Sequence, residues 1–92
     1  MRVDWSPSAV SDLKTITQWI EKDRDLSTAN RIARVLYEAV QSLRIMPYRG
    51  RSGRLDNTRE LVIPRIPYIV VYQILEERLI VLNVLHGAQR WP

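Results

Sequence analysis

Residues Tyr68–Leu85 read YIVVYQILEERLIVLNVL, two short apolar runs rich in Ile and Val on either side of Glu76-Glu77-Arg78. Near-continuous β-branched runs of this length are the pattern of central strands, and three charged residues between them make a tight turn. A hairpin this apolar needs cover. Working outward from it shows where that cover comes from.

Upstream, Thr58 to Ile63 alternates as a further strand, with Arg59, Leu61 and Ile63 facing one way and Thr58, Glu60 and Val62 the other. Pro64 and Pro67 interrupt the chain before the hairpin. Farther back lie two amphipathic helices. Ser6 offers an N-cap oxygen and Pro7 fits the first helical position, so the first helix starts there and ends near Lys22 to Asp25. Its apolar side is Val10, Leu13, Ile16 or Thr17, and Ile20. Ser27 or Thr28 can cap the second, whose stripe is Ala29, Ile32, Ala33, Leu36, Val40 and Leu43 before Pro47 ends it. Arg2 to Trp5 alternates as a half-buried strand. The order is therefore β-α-α-β-β-β, an α+β domain in which a two-helix antiparallel hairpin packs on a small, mostly antiparallel sheet. One domain accounts for residues 1–92, and Trp5, Trp19, Tyr37, Tyr68 and Tyr72 are expected in its core.

The 92 residues include no cysteine and one histidine, which argues against a disulfide framework or a structural zinc site. No apolar run approaches the roughly 20 residues that span a bilayer, and no secretory leader is evident at Met1. A soluble, cytoplasmic protein is expected. Its charge is unevenly placed. Arg44 to Arg65 holds six arginines against Asp56 and Glu60, so this stretch carries the whole formal excess of +4. Twelve of the fourteen basic residues are arginine, whose planar fork suits phosphate and carboxylate recognition.

Several residues could bind or react. Arg59, on a strand, is held more rigidly than the loop residues Arg49, Arg51 and Arg54, which Gly50 and Gly53 punctuate. Tyr48 in the loop, with Arg90 and Trp91 in the tail, is placed to contact a target or partner. Glu60 faces away from Arg59 and is free to pair with a helix arginine. His86 could act as a general acid or base, or could instead bond a strand end or stack on Tyr68 or Trp91. No phosphate-binding glycine loop, carboxylate dyad, nucleophile triad or metal cluster is present, so no cofactor and no metal are expected.

Five segments together carry a family resemblance: WSPSAVSDL at Trp5–Leu13, the P-x-x-G-R segment at Pro47–Arg51, TREL at Thr58–Leu61, PYIVVY at Pro67–Tyr72 and VLHGAQRWP at Val84–Pro92. In this order they resemble the RelE/ParE superfamily, toxins of type II toxin–antitoxin modules, and the last is closer to the ParE side. The resemblance implies a growth-inhibiting toxin, of the kind associated with plasmid stabilization, neutralised by a cognate antitoxin that docks a helix or strand near the basic loop. It implies one of two targets. In the ParE-like arm the target is DNA gyrase, with no recognised active site in the toxin. The alternative is a ribosome-dependent mRNA interferase of RelE type, in which Arg59, Arg54 and His86 would be catalytic and the partners would be ribosome and mRNA. The lysines common in that arm are absent, and His86 is followed by Gly87 rather than tyrosine. An arginine that stays protonated cannot replace a lysine general base.

Overall fold

A computed structural model of the chain describes every residue except Ala88, Arg90 and Pro92. Its elements follow the expected order with one addition: β1 (Arg2–Trp5), α1 (Pro7–Asp23), α2 (Leu26–Ser42), β2 (Arg51–Ser52), β3 (Arg59–Val62), β4 (Tyr68–Leu75) and β5 (Arg78–His86). They build a five-stranded sheet in the order β1-β5-β4-β3-β2. All neighbouring pairs are antiparallel except β1 with β5, which run parallel with Arg2 opposite Arg78 and Trp5 opposite Val81. The two-residue strand β2 was not foreseen. It is too short to carry a period, and its pairing partner, Arg59–Glu60, is set by the fold rather than by its own sequence.

The runs at Tyr68–Leu75 and Leu79–Leu85 lie side by side in the interior of the sheet, with β3 as the third interior strand. Tyr68, Val70 and Tyr72 of β4 and Leu79, Val81 and Val84 of β5 share one core with Ala9, Ile20, Ala29, Ile32, Leu36 and Val40 of the helices. The turn is tighter than expected, because Arg78 already belongs to β5 and only Glu76 and Glu77 connect the strands. Glu76 takes a left-handed backbone, φ 54°, a conformation usually given to Gly or Asn.

Each helix start is built from one side-chain oxygen. Ser6 Oγ accepts from the backbone N–H of Ala9 (3.0 Å) and donates to the Leu82 carbonyl (2.8 Å), so one hydroxyl caps α1 and ties it to β5. Asp12 of α1 completes the junction. Beyond the end of β1 the edge of β5 lacks a neighbour, and Asp12 Oδ2 accepts from the Val84 N–H (2.9 Å) and from Asn83 Nδ2 (3.0 Å). The α2 cap is Asp25, not Ser27 or Thr28. Its Oδ1 accepts from the Thr28 N–H at 2.6 Å, and the helix therefore begins at Leu26, leaving only Arg24 and Asp25 as the connection. That bond holds the Asp25 carboxyl below the usual carboxylate range.

Three apolar expectations fail for one reason. Val10, Trp19 and Tyr37 are 54%, 60% and 55% exposed, because Ala9, Ile20 and Leu36 beside them take the positions facing the sheet. A helix has room for only one such stripe. Replacing Ser6 with Ala removes the cap and the bond to β5 together. It should lower stability by about 1–2 kcal/mol in urea denaturation.

Candidate functional site

Strand alternation divides the basic stretch between the two faces of the sheet. Leu61 lies in the helix-side core, so Arg59, two residues before it, points to that side as well. Glu60 points to the other. There the buried residues Ile69, Val71 and Leu85 lie outside the helix-side core, and Glu60 stands opposite Val71.

Glu60 is 2% exposed and is one of two buried polar residues, Thr58 being the other, among those described. Its partners are loop arginines, not a helix arginine as expected. Arg51, its cross-strand neighbour on β2, reaches Oε1 through Nη2 (3.0 Å) and Nε (3.3 Å). The Arg54 backbone N–H donates to Oε2 (3.1 Å), with Arg54 Nε 3.7 Å away. Burial pushes the Glu60 carboxyl upward, but the Arg54 N–H, the Arg51 bond and both positive charges outweigh it, and the net shift is downward. Arg54 also donates through Nη1 to the Trp91 carbonyl (3.1 Å), which fastens the described part of the C-terminal segment to the same cluster.

On the helix side, Arg59 is engaged with the chain itself. Its Nε donates to the Gly50 carbonyl (3.0 Å) and Nη2 to the Tyr48 carbonyl (3.2 Å), while the guanidinium carbon lies 5.2 Å from the centre of the Tyr48 ring. Tyr72, fully buried, completes the hold: its hydroxyl donates to the Pro47 carbonyl (2.7 Å) and accepts from the Gly50 N–H (2.9 Å). Position 50 needs glycine because a Cβ there would lie 2.6 Å from the Tyr72 oxygen and 3.0 Å from the Glu60 carbonyl. Arg49 donates from Nη1 to Ser42 Oγ (2.8 Å). An open cleft of about 630 Å³ beside this cluster is lined by Tyr48, Ser52, Asn57, Arg59 and Glu76 among others.

His86 lies elsewhere. It pairs with Tyr68 at the far end of β4, and the two rings meet edge to face with centroids 5.6 Å apart, one of the arrangements anticipated from sequence. Arg59 pairs with Tyr72, four residues along the same strand. Their backbones are thus offset by about 13 Å along the strands and about 10 Å across them. Arg51 and Arg54 are bound to Glu60 on one face, Arg49 and Arg59 to the 42–50 segment on the other, and Arg90 lies outside the described residues. Tyr72 and Glu60, which organise both groups from opposite faces of the sheet, carry no local sequence signal beyond being polar residues within strands. Among the described residues no cluster of His, Cys, Asp and Glu could hold a metal, and no helix is long and apolar enough to cross a membrane.

A five-stranded mostly antiparallel sheet under a helical hairpin, with an arginine-rich loop on its edge, is the RelE/ParE toxin fold. The profile of the ParE toxin family, described as ParE toxin of type II toxin-antitoxin system, parDE, matches residues 3–91, and the chain belongs to this family. It is 41% identical over 91 residues to a Sinorhizobium fredii protein named "Putative toxin Y4kP", covering 99% of this chain and 93% of that one. A chain of the chromosomal ParDE system from P. aeruginosa superposes with a TM-score of 0.87 at 19% identity, covering 94% of this chain and 95% of that one. A chain of the intact E. coli RelBE toxin–antitoxin complex superposes with a TM-score of 0.53 at 18% identity, covering 97% and 98%.

Two outcomes test the site's construction. Tyr72→Phe leaves the Gly50 N–H and the Pro47 carbonyl without their partner and should cost about 1–3 kcal/mol in urea denaturation. It should also speed amide exchange at Gly50. Because Glu60 holds its proton less tightly in the folded state than in the unfolded one, its stabilisation is complete above the ordinary glutamate range. It is lost as pH falls through the lowered folded value. Stability measured against pH should therefore decline on the acid side, and Glu60→Gln should flatten part of that decline while reducing stability at pH 7.

Proposed function

We propose that this chain is a growth-inhibiting toxin acting on DNA gyrase and held inactive by a cognate antitoxin. The observation that carries the choice of target is the separation of the residues an mRNA-cleaving site would need. Arg59 spends two of its donors on the carbonyls of Tyr48 and Gly50, Arg54 is bound to Glu60 and the Trp91 carbonyl, and His86 packs on Tyr68 at the other end of β4. General acid–base chemistry on a ribose 2′-hydroxyl requires the proton-transfer group and the phosphate-binding group within hydrogen-bond reach of one substrate. These groups do not converge on one point. A toxin that works by binding has no such requirement, and membership of the ParE family favours that mode.

Purified protein added to a gyrase supercoiling assay should block supercoiling or accumulate cleaved DNA, and His86→Ala should do so equally well. Full supercoiling at saturating protein would overturn the gyrase reading. Cuts in the ribosomal A site by toe-printing, abolished by Arg59→Ala, would put the ribonuclease reading in its place.

A further inference from the structure

The segment between α2 and β2 is held from below and bare above. Its backbone is fixed by Tyr72 at Pro47 and Gly50, by Arg59 at Tyr48 and Gly50, and by turns in which Met46 N–H donates to the Ser42 carbonyl (3.1 Å) and Arg49 N–H to the Met46 carbonyl (3.2 Å). Yet Ile45 is 87% exposed, Tyr48 68% and Met46 54%. Exposed apolar side chains scattered singly need no explanation; three within four residues, on a loop whose main chain is this thoroughly fastened, do. A fastened loop loses little conformational freedom when a partner covers it, which is the condition for tight docking.

We infer that Ile45, Met46 and Tyr48 are the apolar anchor onto which an acidic segment of the antitoxin docks, with Arg44 and Arg49 flanking it. The inference rests on the toxin–antitoxin reading above and deepens it. Charge selects the partner. From Arg44 to Leu55 the chain has four arginines and no acid. Glu60 pairs with both Arg51 and Arg54 and offsets one of their two charges, whereas the side chains of Arg44 and Arg49 form no ion pair among the described residues and bond only the neutral Gln41 and Ser42. A second copy of this chain would bring the same positive charge to the contact and be repelled. A nucleic acid would leave Ile45 and Met46 unused, since aliphatic side chains offer no stacking surface to bases. An acidic polypeptide with apolar side chains satisfies both the arginines and the aliphatic groups.

The test uses the antitoxin encoded with this toxin, purified and titrated by calorimetry. Against Ile45→Ser combined with Met46→Ser its affinity should fall about 100-fold, the loss expected when central anchors are removed. Arg44→Glu with Arg49→Glu should weaken binding most at low salt. Trp19→Ser, a comparably exposed aromatic away from the loop, should bind like the wild type. Thermal unfolding checks that each variant is folded, and Ile45→Ser alone replaces the double variant if that one does not fold. Unchanged affinity in the folded anchor variant overturns the inference while leaving the toxin reading intact. So does loss of growth arrest with antitoxin affinity unchanged, because the anchor would then belong to the target. An antitoxin that does not bind the wild type overturns both.

Discussion

A carboxylate buried on the outer face of a sheet has to be surrounded by donors, and Glu60 sets that constraint for this fold. The cost of leaving such a charge unpaired in a dry site far exceeds what a short loop's entropy can oppose. The chain answers with Arg51 from the edge strand and the Arg54 N–H from the loop beyond it. The pairing of Arg51 and Ser52 with Glu60 and Arg59 brings those donors into place, so the shortest strand of the sheet and the buried Glu60 explain each other. Gly53 closes the same turn, its N–H donating to the Thr58 carbonyl at 2.8 Å.

The same alternation separates arginines that look like one group in the sequence. Arg51 and Arg54 serve the outer face, and Arg59 reaches under the 47–50 segment on the inner one. Much of the formal excess charge is therefore engaged in holding the loop, and the outward-facing remainder is narrow. Catalysis through a cluster of free guanidinium groups fits this arrangement poorly, and recognition through a shaped loop fits it well.

The fold was legible because its signals are periodic. The apolar runs at Tyr68–Leu75 and Leu79–Leu85, the Ser6-Pro7 helix start and the α2 stripe from Ala29 to Val40 all stand where their spacing puts them. Position on a helix was less legible than membership of one: Trp19 and Tyr37 are large and apolar enough to be read as core, but their neighbours Ile20 and Leu36 hold the inward angle. Asp25 outcompeted two hydroxyls as cap, a choice that depends on which residue first adopts helical dihedrals. The loop's internal contacts could not be read. The partners of Glu60, Arg59 and Tyr72 lie between 6 and 25 residues away and depend on a register that only the assembled sheet defines.

The parallel pairing of β1 with β5 sets an order on how the protein comes into being. Arg2 faces Arg78 and Trp5 faces Val81, so β1 has no seat until β5 has been made. Ser6, which caps α1, likewise waits for the Leu82 carbonyl. The helical hairpin is a local structure and can form early, whereas closing the sheet needs its most distant contacts and comes late. Each molecule is thus free to form its helical hairpin well before the two ends of the fold are joined.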